Sequence, residues 1–279
     1  MTLSTIRNNP AKQKKVKTKK QKAIAATCAV AFWLLVWHVV SLCVGSELVL
    51  VSPVKVVQTL FTVIFDPDFL KTVWYSAARI LGGFFTALTL GTVLGWVASR
   101  FWVVETLLRP ITAVIKATPV ASFIILVLLW FSGKNLSVII SMLMVFPVIY
   151  MNVLEGIRSA DEKLLEMAQV FRLSVGKKLL YIYLPAVAPF FVSACSVSLG
   201  LCWKSGIAAE VIGTPDGSIG AVFYQAKIFL QTSELLAWTV VVVAVSVAFE
   251  KLFMFLLRLV LKKLKNGGRV KWQACIISS

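Results

Sequence analysis

The residues that could do chemistry in this chain are few. Arg79, Lys116, Lys204, Glu210 and Glu250 stand inside or beside long apolar runs. An ionisable side chain costs about 3 kcal/mol or more at the centre of a bilayer, so each must face protein or water, or reach an interface. Arg79 and Glu250 lie near the ends of their runs, where snorkelling to the interface is expected. Lys204 belongs to Trp203-Lys204-Ser205-Gly206 near the outer boundary, where a tryptophan sits comfortably at headgroup level. A lysine there attracts an oxyanion as a compact point charge, with Ser205 or backbone N–H groups sharing its oxygens. Glu210 is close enough in sequence to neutralise it, so a purely structural Lys204–Glu210 pair is the competing reading. The depth of Lys116 depends on how the chain breaks at Thr118-Pro119.

Other chemistries find no residues. There is one histidine, His38, and no pair of carboxylates inside a span, which leaves no acid–base dyad or zinc site. Asp66 and Asp68 only flank Pro67 in a loop, unlike the acidic clusters of membrane transferases. The cysteines at 28, 43, 195, 202 and 275 show no C-x-x-C spacing, and most behave as small hydrophobes. No G-x-x-x-x-G-K-[ST] loop is present, so hydrolysis of ATP by this chain is not expected. No cofactor is expected either.

The elements that must carry these residues are membrane spans. The chain has 279 residues, of which 59% are hydrophobic and 15% charged, with a mean hydropathy of +0.87. A soluble domain carries about 25% charged residues. The apolar runs here approach twenty residues, the length that crosses ~30 Å of hydrocarbon. Spans are expected at 23–44, 73–98, 107–131 (one kinked span, or an interfacial helix followed by a membrane helix), 136–154, 184–207 and 235–257. The fold class is therefore all-α, polytopic, with about six transmembrane helices. The first run is too long for a signal peptide and lacks a clear cleavage pattern. Pro53 opens a short amphipathic helix that Asp66-Pro67-Asp68 ends. Gly91 and Gly95 form a G-x-x-x-G, read as tight helix packing. No internal repeat is visible.

The net charge of +17 is segregated into tails at 1–22 and 259–279 and into the loop at 155–185. The positive-inside rule places all three in the cytoplasm, with both termini inside and the tails near anionic lipid headgroups. No nucleic-acid motif accompanies the charge, and no nucleic acid is expected as a partner.

Residues 155–189 are the longest polar stretch in the interior. Ser159 and Glu162 stand at capping-box spacing ahead of a short helix with Leu164, Ala168 and Phe171 on one side. Ser174 is positioned to cap a second, which Pro185 should end near Leu184. Two small amphipathic helices between two apolar spans make a docking surface.

Glu166-Met167-Ala168 followed by Ile182-Tyr183-Leu184-Pro185 resembles the cytoplasmic EAA loop, E-A-A-x-x-x-G then I-x-L-P, of bacterial ABC-importer permeases. Leu108-Arg109-Pro110, Leu129-Trp130-Phe131, Phe146-Pro147 and Ala209-Glu210 are similar to the nitrate/sulfonate/taurine branch, and the resemblance covers roughly residues 50–258. Met167 departs from the second consensus residue, and Arg172 stands where the family has the turn glycine. A left-handed turn at arginine is unfavourable, so the bend is expected nearer Ser174–Gly176.

The resemblance implies an ABC-permease fold whose 155–185 segment couples to a cytoplasmic ATPase through Glu166, Met167, Ala168, Arg172, Ile182, Leu184 and Pro185. It also implies a second permease copy, an external solute-binding protein, and ATP bound by the partner subunit. Closure of the ATPase dimer would push on the loop and re-pack the spans. The substrate implied is nitrate, a sulfonate, taurine or a similar anion, passed by Lys204, Ser205, Glu210 and Lys116. A pyrimidine-like thiamine precursor is the alternative within the class. A self-sufficient secondary transporter or channel is the alternative outside it, and would more often show inverted repeats or intramembrane acidic relays.

Overall fold

Long apolar runs near twenty residues favour the α-helix, which satisfies its backbone N–H and C=O groups within one segment. The computed structural model follows that rule and describes residues 19–267. The basic positions before Lys19 and after Gly267, with Cys275, lie outside the described residues. Eleven helices occur among those described. They are α1 (Lys19–Val44), α2 (Pro53–Ile64), α3 (Phe69–Arg100), α4 (Trp102–Ala117), α5 (Val120–Trp130) and α6 (Gly133–Arg158). After these come α7 (Glu162–Val170), α8 (Val175–Lys178), α9 (Leu184–Gly213), α10 (Ile219–Ile228) and α11 (Thr232–Gly267).

Five helical stretches are long and apolar enough to cross a membrane, and the bent pair α4–α5 makes a sixth if counted as one span. That pair turns by 109° at Thr118-Pro119. Of the two expectations for 107–131, the structure therefore shows two separate helices. Helix α11 runs past the expected end at 258, so the first part of the basic C-terminal tail is helical. Helix α1 likewise starts at Lys19, inside the segment expected to be an irregular tail.

The chain divides into residues 1–55 and 56–279. In the first unit, Gly45 ends α1 with a positive φ of 63°, and Lys55 pairs with Glu47. The second unit holds the bundle. Its spine is α3 against α6 and α6 against α9, around Ile80, Phe84, Val145, Ile149, Cys195 and Leu199. The close approach of α3 to α6 needs small residues. A Cβ on Gly83 would lie 2.4 Å from the Val138 carbonyl oxygen, and one on Gly91 or Gly95 would lie 3.0 Å from Ile149 or Val153. The G-x-x-x-G thus serves packing within one chain. A second cluster joins α2, α3, α10 and α11 through Val63, Phe69, Ile219 and Trp238.

Candidate functional site

The polar segment forms one end of the bundle. Helix α6 runs on to Arg158, which pairs with Glu105 of α4. Ser159 still belongs to its last turn, donating its Oγ–H to the Gly156 carbonyl at 2.8 Å. The expected capping box is therefore not formed. Asp161 caps α7 instead, its carboxylate accepting the Lys163 N–H at 2.9 Å.

The turn after α7 also differs from expectation. It lies at Arg172, with φ +49°, and not at Ser174–Gly176. Two hydrogen bonds define it: Leu173 N–H to the Ala168 carbonyl at 2.9 Å and Arg172 N–H to the Gln169 carbonyl at 3.0 Å. This is the Schellman arrangement, normally closed by glycine. Its accompanying apolar contact is present, since Leu173 packs on the cluster of Ala160, Ala168 and Ile182. That contact and the two bonds hold an arginine where a left-handed backbone costs about 1–2 kcal/mol.

The second short helix does not stop at Leu184. Residues 179–183 form a π turn that carries α8 directly into α9, and the Leu184 N–H reaches back to the Leu179 carbonyl. Pro185 falls in the first turn of α9, where its missing N–H disturbs little once the helix has widened.

The side chains of the segment sort cleanly by exposure. Ala168 is fully buried and Ile182 is buried under the segment's own cluster. The small size of Ala168 serves internal packing of α7 onto the start of α9, not close approach by another protein. Glu166 and Arg172 are exposed, and Leu184 and Pro185 half-buried. Leu164, Met167, Val170, Phe171 and Val175 are exposed, Val170 by 79%. These apolar side chains, most of them on α7, have no cover within this chain.

The other candidates lie on α9, apart from Lys116 on α4, and the structure separates them. Six residues along a helix is about 240° of rotation, so Lys204 and Glu210 point to different faces. No ion pair joins them among the described residues. Lys204 is exposed, on a stripe with Val197, Leu201 and Ala208. It stands about 13 Å before the Gly213 end of α9, at 1.5 Å per residue. Trp203 is 2% exposed, so it marks no interfacial belt. Ser205 is buried and donates to the Cys202 carbonyl. Lys116 is exposed at the end of α4, its Nζ 3.2 Å from Met151 Sδ.

Glu210 is fully buried. The helix carrying it continues past the expected end at 207 because no breaker intervenes before Gly213-Thr214-Pro215. Its Oε2 accepts the Ser76 hydroxyl at 2.6 Å and the Gly220 N–H at 3.3 Å. Arg79 and Glu250 also find partners in the bundle. The Arg79 guanidinium lies 4.4 Å from the Tyr75 ring centroid, and the Ser196 hydroxyl donates to Glu250 at 2.9 Å. The hydrogen-bond partners of Glu210 come from α3, far away in sequence, and from α10, the next helix, and only its intramembrane position hinted at them. Among the described residues no cluster of histidine, cysteine and carboxylate could hold a metal.

The chain is similar over most of its length to known transport permeases. The chain is 29% identical over 232 residues to the putative aliphatic sulfonates transport permease protein of Bacillus subtilis, covering 82% of this chain and 83% of that one. It is 27% identical over 220 residues to the taurine transport system permease protein of Escherichia coli, covering 77% and 80%. It is 25% identical over 214 residues to the nitrate import permease protein of Synechocystis, covering 73% and 76%. Residues 87–266 match the family described as binding-protein-dependent transport system inner membrane component, and the chain belongs to that family: it is a multi-pass membrane permease.

Proposed function

We propose that this permease imports a small oxyanion, driven by a cytoplasmic ATPase that docks on α7 and α8. The observation that carries the reading is the apolar patch of Leu164, Met167, Val170, Phe171 and Val175, left exposed on a segment between two spans. An apolar face there has no cover within this chain, and a groove in a soluble subunit supplies one. Glu166, Arg172 and Lys177 provide the polar rim, while Ala168, Ile182, Leu184 and Pro185 set the angle at which α7 is presented. Both termini and this segment are cytoplasmic, a solute-binding protein delivers from the opposite side, and a second copy completes the path. The lysine-rich ends rest on anionic headgroups. ATP binds the partner, and this chain needs no cofactor.

The anionic substrate class is supported by Lys204. It is an exposed cation within the span, between half-buried Leu201 and Ala208, and no ion pair reaches it among the described residues. Such a charge is tolerated where a second protein surface or a water-filled path faces it. The relatives are named for an aliphatic sulfonate, taurine and nitrate, which share a compact anionic oxygen group. Lys116 is the other exposed cation suited to such a path; Ser205 and Glu210 are sealed in the bundle and would shape it from behind.

Uptake into proteoliposomes holding the assembled importer tests this. Lys204→Gln should lower uptake of sulfonate or nitrate about ten-fold or more, the scale of one charge-assisted contact, at an unchanged amount of complex. Normal uptake by that variant removes Lys204 from the path. Transport of a neutral pyrimidine removes the anionic class.

A further inference from the structure

Four helices converge on the Glu210 carboxylate. The first N–H groups of any helix lack intrahelical partners, and the N-terminus carries partial positive charge. In α10 these groups are met from outside the helix. Ser76 Oγ on α3 accepts the Ile219 N–H at 2.9 Å, and Glu210 Oε2 on α9 accepts the Gly220 N–H at 3.3 Å. Ser76 itself donates to Glu210 Oε2, so one short chain of bonds ties α10 to α3 and α9. The backbones touch as well, since a Cβ on Gly220 would lie 2.3 Å from the Cβ of Glu210.

The second carboxylate oxygen tells a different story. Oε1 of Glu210 is buried with no hydrogen-bond partner of good geometry, and so is Ser137 Oγ on α6. A buried charge kept for stability alone is matched on both oxygens or replaced by an apolar residue at little cost. Here Oε2 is the oxygen committed to α10, and the groups that act on the carboxyl from the bundle side are Ser137 on α6 and Arg79 on α3. Meanwhile the far side of α10 is unpacked, with Tyr224, Ile228 and Phe229 exposed.

We infer that Glu210, Ser76 and Gly220 form a latch that seats α10 over the Gly213 end of the bundle in one transport state and releases it in another. Glu210 is a positioning residue: it touches α10, and α10 moves. On release, Oε1 and Ser137 compensate on the bundle side while the α10 N–H groups turn to water. This rests on the ATP-driven importer reading given above, because the power stroke at the opposite end must reach the latch through α9.

Two measurements on the assembled complex decide the matter. Amide hydrogen exchange across Ile219–Ile228 should differ about ten-fold or more between the resting complex and the complex trapped with ATP and vanadate, as expected for a local opening. Ser76→Ala, which removes one hydroxyl, should raise solute-independent ATP hydrolysis about three-fold or more at an unchanged amount of complex. Glu210→Gln, which keeps an oxygen for the α10 N–H, should show a smaller rise. A purely structural staple would instead lower the amount of complex and leave its hydrolysis per molecule unchanged. Equal exchange in both states, or Ser76→Ala with wild-type basal hydrolysis, overturns the latch. If the wild-type complex shows no hydrolysis stimulated by solute-loaded binding protein, the importer reading itself fails and the coupling role of the latch goes with it.

Discussion

Each end of α9 receives a short helix, and the two junctions are made of opposite materials. At the Leu184 end, α7 is held by a small apolar cluster, Ala160, Ala168 and Ile182, and turns Val170 and Phe171 outward. At the Gly213 end, α10 is held by a buried carboxylate, a hydroxyl and a backbone contact through glycine. The first junction leaves apolar surface uncovered, which under the proposed function a docked ATPase would cover. The second closes on itself. In a machine driven from one end, this is the expected division: the driven end is open to its motor, and the far end carries a bond that the motor must break. The α3–α6–α9 spine between them is closely packed at Gly83, Gly91 and Gly95, as an element that passes on displacement would need to be.

The comparison is broken most severely at the closed end. Gly220→Leu drives four carbons into the backbone of α9 at Glu210, where even a Cβ lies 2.3 Å from the nearest atom. Overpacking of this kind costs roughly 3 kcal/mol, and the lost seat leaves buried donors unmet at about 1–3 kcal/mol each. Thermal unfolding of the permease in detergent should fall by many degrees, and little complex should assemble. A variant that melts like wild type would mean α10 is not seated as described.

The open end should respond in the reverse sense. Phe171 is 71% exposed, so Phe171→Asp should change the melting of the isolated permease by less than about 0.5 kcal/mol. Affinity for the ATPase should drop by about 2 kcal/mol, some thirty-fold, if the phenylalanine is a buried anchor of the docked interface. Titration of the purified ATPase against the permease reads this directly. Unchanged affinity would move the docking surface away from α7.

Much of this architecture is legible in the residues, and the exceptions have physical causes. The spans are legible because lipid leaves the backbone no alternative, and Gly91-x-x-x-Gly95 is legible because close packing demands small side chains. Asp161 was hidden by Ser159, whose spacing to Glu162 fits a cap equally well. Which of them caps is decided by how far α6 continues, a matter of tertiary packing. The π turn at 179–183 was hidden because a proline normally signals an end, whereas one widened turn lets the helix pass. The fate of Glu210 was hidden for a similar reason. Its separation from Lys204 suggests a pair in a loop and forbids one in a helix, and the helix outlasts the expected span. The patch on α7 is visible as a pattern, but periodicity alone does not say which side faces inward; Ala168 goes in, and Phe171 stays out.

The smallest effect sharpens the comparison most. Arg172 occupies the left-handed position of a Schellman turn, φ +49°, and it is exposed. Arg172→Gly removes the Cβ clash while keeping both bonds to Ala168 and Gln169, which use backbone atoms only. Glycine also has more freedom to lose on folding, which offsets part of the gain. The net should stabilise the permease by about 0.5–1 kcal/mol, raising its melting temperature by a few degrees at most. If the arginine is present only by drift, coupling to the ATPase should be unchanged. If its guanidinium belongs to the rim of the docked interface, the more stable variant should bind the ATPase more weakly. Stability and affinity moving in opposite directions would assign Arg172 to the docked interface, and higher stability at unchanged affinity would assign it to the turn alone. A fall in stability would show that the turn is not the one described.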